Sequence, residues 1–172
     1  MLVSLGKRRQ SAELADLLLE CHGRIRQFLA LARDVAARRE LPAKEVSEAC
    51  GRVQRYFVEA LPLHVEDEEQ SVLPRLMGRN VQLDRALSDM QREHGEHEPL
   101  LAQLLLTNAA LLAAPDDLQA RVALAEAAEA LARAFEPHLA REEAMIFPAL
   151  NQLLTESERA TIQAELRARR GG

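Results

Sequence analysis

The sequence predicts an all-α protein, an up-down four-helix bundle with a short additional C-terminal helix. Three observations predict it. Apolar residues make up 48% of the 172 residues, yet aromatics are only 3% and Trp is absent, so Leu and Ala supply most of the apolar material. Leu, Ala, Glu, Arg and Gln form helices readily, whereas a sheet would draw on Val, Ile, Tyr and Phe. Four long segments place apolar residues at steps of three and four, the period of a buried helix face, with short connections between them.

The first segment runs from about Ser11 to Arg38, with a stripe of Ala15, Leu18, His22, Ile25, Leu29 and Ala32 before Leu41-Pro42 breaks the pattern. The second runs from about Ala43 to Val72, with Cys50, Val53, Phe57, Leu61, His64 and Glu68 inward. Pro62 should kink it, because proline cannot donate to the carbonyl of Val58, and Pro74 and Gly78 should close it. The third runs from about Val81 to Ala113 along Leu83, Leu87, Met90, His94, His97, Leu101 and Leu104. Asp116 or Asp117 then offers an N-cap. The fourth runs from about Leu118 to Ile146 along Leu124, Ala128, Leu131, Phe135, His138, Glu142 and Met145, interrupted by Pro137 and ended by Pro148. Thr155 with Glu158 reads as a capping box for a tail helix over about 156–168, which Ile162 and Leu166 could lay against the bundle. The expectation is one domain over 1–172, with its core in 11–150.

A formal net charge of −5 argues against a general nucleic-acid binder. Lys7, Arg8 and Arg9 read as a charged, solvated start. The first ten residues do not resemble a signal peptide, and no stretch is long and apolar enough to span a bilayer. The reading is a cytoplasmic protein without membrane or nucleic-acid partners, a monomer or a homodimer. Cys21 and Cys50 make neither a disulfide framework nor a metal knuckle; Cys50 falls on a core stripe, and both read as packed thiols.

The chemistry lies in the stripes. All five histidines, His22, His64, His94, His97 and His138, fall on predicted core positions. Burying one imidazole is ordinary, but burying five without partners costs desolvation at each, and a metal centre satisfies several together. Glu68 follows His64 by four residues and Glu142 follows His138 by four, which places each pair on one helix face. Both glutamates interrupt apolar stripes, where a carboxylate is rare unless paired or coordinated. The neighbouring Glu66, Asp67, Glu69, Arg141 and Glu143 read as ordinary outer charges.

The pairs belong to a longer repeat. HVEDEEQSVLPRL from His64 matches HLAREEAMIFPAL from His138, both HxxxEExxxxPxL, and His22-Gly23 to Leu29-Ala30 matches His94-Gly95 to Leu101-Ala102. Two helix pairs of similar plan, related by a pseudo-twofold axis, give two metal positions that share carboxylates. If Glu68 and Glu142 each bridge, His22, His64, His94 and His138 each bind once, and an oxide or hydroxide also bridges, two octahedral ions keep two positions open, or one if His97 ligates. His97 corresponds to Ile25 in the other half, so a packing role is its alternative. Histidine and carboxylate with open positions is a non-haem iron pattern; zinc prefers four ligands and manganese takes fewer imidazoles. Pro62 and Pro137 free the carbonyls of Val58 and Arg133, which could accept a ligand-histidine N–H or a water, simple curvature being the alternative. Met90, Phe57, Phe135 and Met145 read as the dry wall of the site.

This pattern resembles the hemerythrin family, in its HHE cation-binding branch. The residues that carry the resemblance are His22, His64-x-x-x-Glu68, His94 and His138-x-x-x-Glu142, with Pro74 and Pro148 after them. The resemblance implies a four-helix bundle holding two iron ions with a bridging oxide or hydroxide. It implies His22, His64, His94 and His138 as terminal ligands and Glu68 and Glu142 as bridges. Family roles span oxygen binding, sensing, nitric oxide and peroxide handling, and iron-centre repair. The His94/His97 spacing of three, and Glu142 where oxygen carriers have an aspartate at longer spacing, weigh against oxygen transport. Repair members carry an N-terminal cysteine-bearing domain and sensors an output domain, and the reading expects neither. The function expected is binding of oxygen, nitric oxide or peroxide at an open iron position, for storage, sensing or detoxification. The alternatives are a diiron enzyme reducing such a ligand, supplied by an electron donor the sequence does not identify, and a structural or partner-binding bundle with a metal staple.

Overall fold

The structure is a computed structural model and describes residues 4–171, with side chains from Leu14 onward. The side chains of Lys7, Arg8 and Arg9 lie outside the described residues. The chain is all-α, an up-down helical bundle with a C-terminal helix, and no strand occurs among the described residues.

Helix α1 spans Ser4–Ala37 and begins earlier than the apolar stripe indicates. The second segment is continuous but not uniform: α2 (Ala43–Arg55), π1 (Tyr56–Ala60), α3 (Leu61–Glu66), π2 (Asp67–Val72) and α4 (Leu73–Leu76). Helix α5 (Val81–Ala113) has the expected bounds. Then α6 (Leu118–Arg141) runs through π3 (Glu142–Ile146) into α7 (Phe147–Leu153), and α8 spans Glu156–Arg169. The caps follow the sequence reading. Asp117 accepts from the N–H of Gln119 at 2.8 Å, and Thr155 and Glu158 form the reciprocal capping box. Gly78, at φ +84°, makes the turn after α4, a backbone conformation that favours glycine.

Two expectations are corrected here. Pro74 and Pro148 do not end their helices; each sits in the first turn of a continuing helix, α4 or α7. The wide turns before them supply the reason. The amides of Leu61, Leu73 and Phe147 reach back five residues, to the carbonyls of Tyr56, Glu68 and Glu142. Each donor immediately precedes a proline. A proline ring in a regular α-turn clashes with the carbonyl four residues back, and one extra residue in the turn relieves that clash. Pro99 and Pro137 lie within ordinary helix, so proline alone does not force the wide turn.

The extra residue moves the buried face. Met145, expected to wall the site, is 39% exposed, while Ile146 and Phe147 are buried. Small shifts also occur at Ala15, which is half-buried beside buried Leu14, and at Leu101, which is half-buried. The remaining stripe positions are buried as expected.

By backbone proximity the chain forms two compact units. The first comprises Met1–His22, Leu63–Glu93 and His138–Gly172. Its core joins Leu14 and Leu18 to Val72, Leu76, Leu83, Leu87, Met90, Ile146, Phe147 and Leu150, and α8 adds Ile162 and Leu166 as expected. The second comprises Gly23–Pro62 and His94–Pro137. Ile25, Leu29, Val53, Phe57, Leu104, Leu124, Leu131 and Phe135 are buried there. Within it, Asn108 donates to the carbonyl of Cys50 at 3.0 Å. Arg121, almost fully buried, donates to the carbonyls of Val35, Arg38 and Pro115 and so satisfies groups at the end of α1. Burial pushes the Cys50 thiol up to about 11, against a smaller opposing effect of Arg121. Cys21 is half-buried. Among the described residues, no helix is long and apolar enough to cross a membrane.

Candidate metal centre

All five histidines and both predicted carboxylates are buried. His22 comes from α1, His64 from α3, Glu68 from π2, His138 from α6 and Glu142 from the first position of π3. The carbonyls of Glu68 and Glu142 accept the wide-turn hydrogen bonds, so each carboxylate is carried at the start of such a turn.

His64 Nε2 lies 3.2 Å from Glu68 Oε1, and His138 Nε2 lies 3.0 Å from Glu142 Oε1. His22 Nε2 faces both carboxylates, at 3.0 Å from Glu142 and 3.8 Å from Glu68. The rings of His22 and His64 are nearly perpendicular at 5.2 Å, and Phe147 packs on His22 at 4.8 Å. Two groups of ligand atoms result, His22, His64, Glu68 and Glu142, and Glu68, His94, His138 and Glu142, each mutually within 4.8 Å. His97 is in neither group; its ring lies 4.7 Å from that of Phe135.

The far ring nitrogens are held by carboxylates the sequence reading assigned to the surface or passed over. His22 Nδ1 is 2.9 Å from Glu143 Oε1, and His138 Nδ1 is 2.9 Å from Glu93 Oε2. Arg141 donates to both oxygens of Glu93, at 2.7 and 2.9 Å. Donation from Nδ1 to a carboxylate leaves the Nε2 lone pair facing the centre, the tautomer a metal ligand needs. The acceptors for these two rings are therefore side-chain carboxylates. Glu143 follows directly on Glu142, and Glu93 directly precedes His94. The doubled EE of the repeat is the signal that could have found Glu143.

Two further corrections concern charge. Asp67, read as an outer residue, is fully buried and paired with Arg169 and Arg170, and Arg141 is engaged at Glu93. Glu66 is exposed, as expected. Electrostatically, burial works against the charged imidazolium of His22, but hydrogen bonds and charge from Glu142 and Glu68 prevail and raise its pKa to about 10. Burial likewise opposes ionisation of Glu93, but the hydrogen bonds from Arg141 and His138 hold its carboxyl below the usual range.

The donor set fits a cation. Two buried carboxylates facing one another are costly without intervening positive charge, and imidazole with carboxylate suits a first-row divalent metal. These clusters could hold a metal ion.

Comparison with known proteins agrees. The chain is 31% identical over 147 residues to uncharacterized proteins of Mycobacterium tuberculosis and Mycobacterium bovis, covering 83% of this chain and 55% of theirs. It thus spans about half the length of the curated relatives it matches. Residues 13–150, which include every histidine and both shared carboxylates, match the hemerythrin HHE cation binding domain, and the chain belongs to that family.

Proposed function

We propose that this chain is a non-haem diiron protein that binds oxygen, nitric oxide or peroxide at an open iron position, for storage, sensing or detoxification. One observation supports the reading: Glu68 and Glu142 belong to both groups of buried ligand atoms, as carboxylates shared by two ions would. Each group offers four protein ligands, fewer than an octahedral ion takes, which leaves room for a solvent-derived bridge and a small ligand. Paired irons would supply reversible two-electron redox chemistry there. The chain's own residues hold Nε2 of His22 and His138 toward the centre through Glu143 and Glu93, and Phe147 keeps one side dry. His97 would act from outside the ligand set. A cytoplasmic setting, a monomeric or homodimeric state and an unidentified electron donor complete the proposal.

Metal analysis of protein from iron-replete cells, with absorption spectra before and after reduction, tests it. About two irons per chain with oxo-to-iron charge-transfer bands is the expected result, and one zinc per chain overturns it. Mixing reduced protein with oxygen or peroxide then separates the roles. A stable adduct supports binding, and repeated consumption makes the protein an enzyme.

A further inference from the structure

Helix α8 lies beyond residues 13–150, the span that matches the family. Its contacts with π2 are ionic as well as apolar. Asp67, adjacent to Glu68, has no exposed surface, and its two oxygens accept from Arg169 at 2.8 Å and Arg170 at 2.6 Å. Arg169 also donates to the Ser71 hydroxyl at 2.8 Å, and that hydroxyl donates to Glu165 at 2.6 Å. Arg75 closes the network with two bonds to Glu165, at 3.0 and 2.6 Å, and one to the carbonyl of Ser71 at 2.8 Å. Positions 67, 71 and 75 thus face α8, while 64, 68, 72 and 76 are buried along the adjoining stripe.

We infer that α8 positions Glu68, with Asp67, Arg169 and Arg170 as the positioning residues, so that the C-terminal helix sets how firmly the chain retains metal. The inference rests on the metal-binding reading. The physical reason is the neighbour relation along a wide turn. The π2 segment departs from the regular α ladder where it carries a ligand, so tertiary anchors fix its side chains. A buried carboxylate held by two guanidinium groups has one tolerated placement, because any shift leaves charge uncompensated. Fixing Asp67 fixes the backbone from which Glu68 projects. Glu68 enters both groups of ligand atoms, so loosening it acts on both positions.

The test is iron release from anaerobically loaded full-length protein into a coloured ferrous chelator. Asp67→Asn preserves shape while removing charge, and iron release should accelerate about tenfold, the low end for loss of an outer partner. The double replacement of Arg169 and Arg170 by alanine should act alike, and replacement of both by lysine should restore most of the retention. Unchanged release in Asp67→Asn overturns the positioning role. Glu68→Ala separates the two levels. If it retains iron like the parent, the metal reading itself fails; if it loses iron while Asp67→Asn does not, only the positioning fails.

Discussion

The segments from His64 to Leu76 and from His138 to Leu150 share a sequence plan and a backbone plan. Each carries a histidine, a glutamate four residues on, a wide turn opened at that glutamate, and a proline after it. They differ one stripe away. The first presents Asp67, Ser71 and Arg75, bound into α8; the second presents Arg141, Met145 and Ala149 at the matching places. Arg141 turns to Glu93, and Met145 is left exposed. What would touch the ion is repeated, while the adjoining face takes a separate task in each half: docking a helix in one, holding a histidine's partner in the other.

The repeated part should respond symmetrically. Glu68→Ala and Glu142→Ala should each weaken metal binding more than about 100-fold, beyond the range for outer partners, as read by metal stoichiometry after dialysis. A large difference between them would break the equivalence of the halves. The unrepeated face should respond asymmetrically. Removing both Arg169 and Arg170 strands a buried carboxylate and should cost about 3–5 kcal/mol, whereas Arg141→Ala, at a partly exposed pair, should cost about 1 kcal/mol in urea unfolding. The wide turn is sharpened by neighbours: Ile146→Ala should cost about 2–4 kcal/mol and Met145→Ala under about 0.5, the reverse of what an unbroken α register requires. A pH dependence is expected at His22, which faces a carboxylate from each half. Its raised folded pKa means its charged form stabilises metal-free protein fully below about 6.5, and that contribution is lost as pH rises through about 10. The urea midpoint of metal-free protein should fall across that window, and His22→Gln should flatten the slope.

Much of this was legible in the sequence because a helix face repeats on a fixed period. Cys50, Val53, Phe57 and Leu61 led directly to His64 and Glu68, and an imidazole on such a stripe announces itself. Met145 was misplaced because hydropathy carries no mark of an extra residue in a turn; the mark lies in the proline six residues after each glutamate. Asp67 was hidden inside VEDEE, a run that reads as solvated, because its partners lie about a hundred residues away at Arg169 and Arg170. Glu93 and Glu143 were missed for a related reason. An acceptor for a ring nitrogen obeys no stripe, and which one serves depends on how helices from different parts of the chain meet.

The wide turn at Glu142 also bears on how this chain can drift over generations. Loss of one codon between Glu142 and Pro148 would keep the reading frame and barely alter composition. The wide turn already holds one residue more than an α-turn, so the loss would close it to an ordinary turn and leave the helix after it in register. Phe147 would keep its place on the ring of His22, and Ile146 and Leu150 theirs in the core, but the ring of Pro148 would again meet the carbonyl four residues before it. Exposed Ala144 and Met145 can therefore be exchanged freely, and it is the proline, more than the core, that guards the length of this stretch.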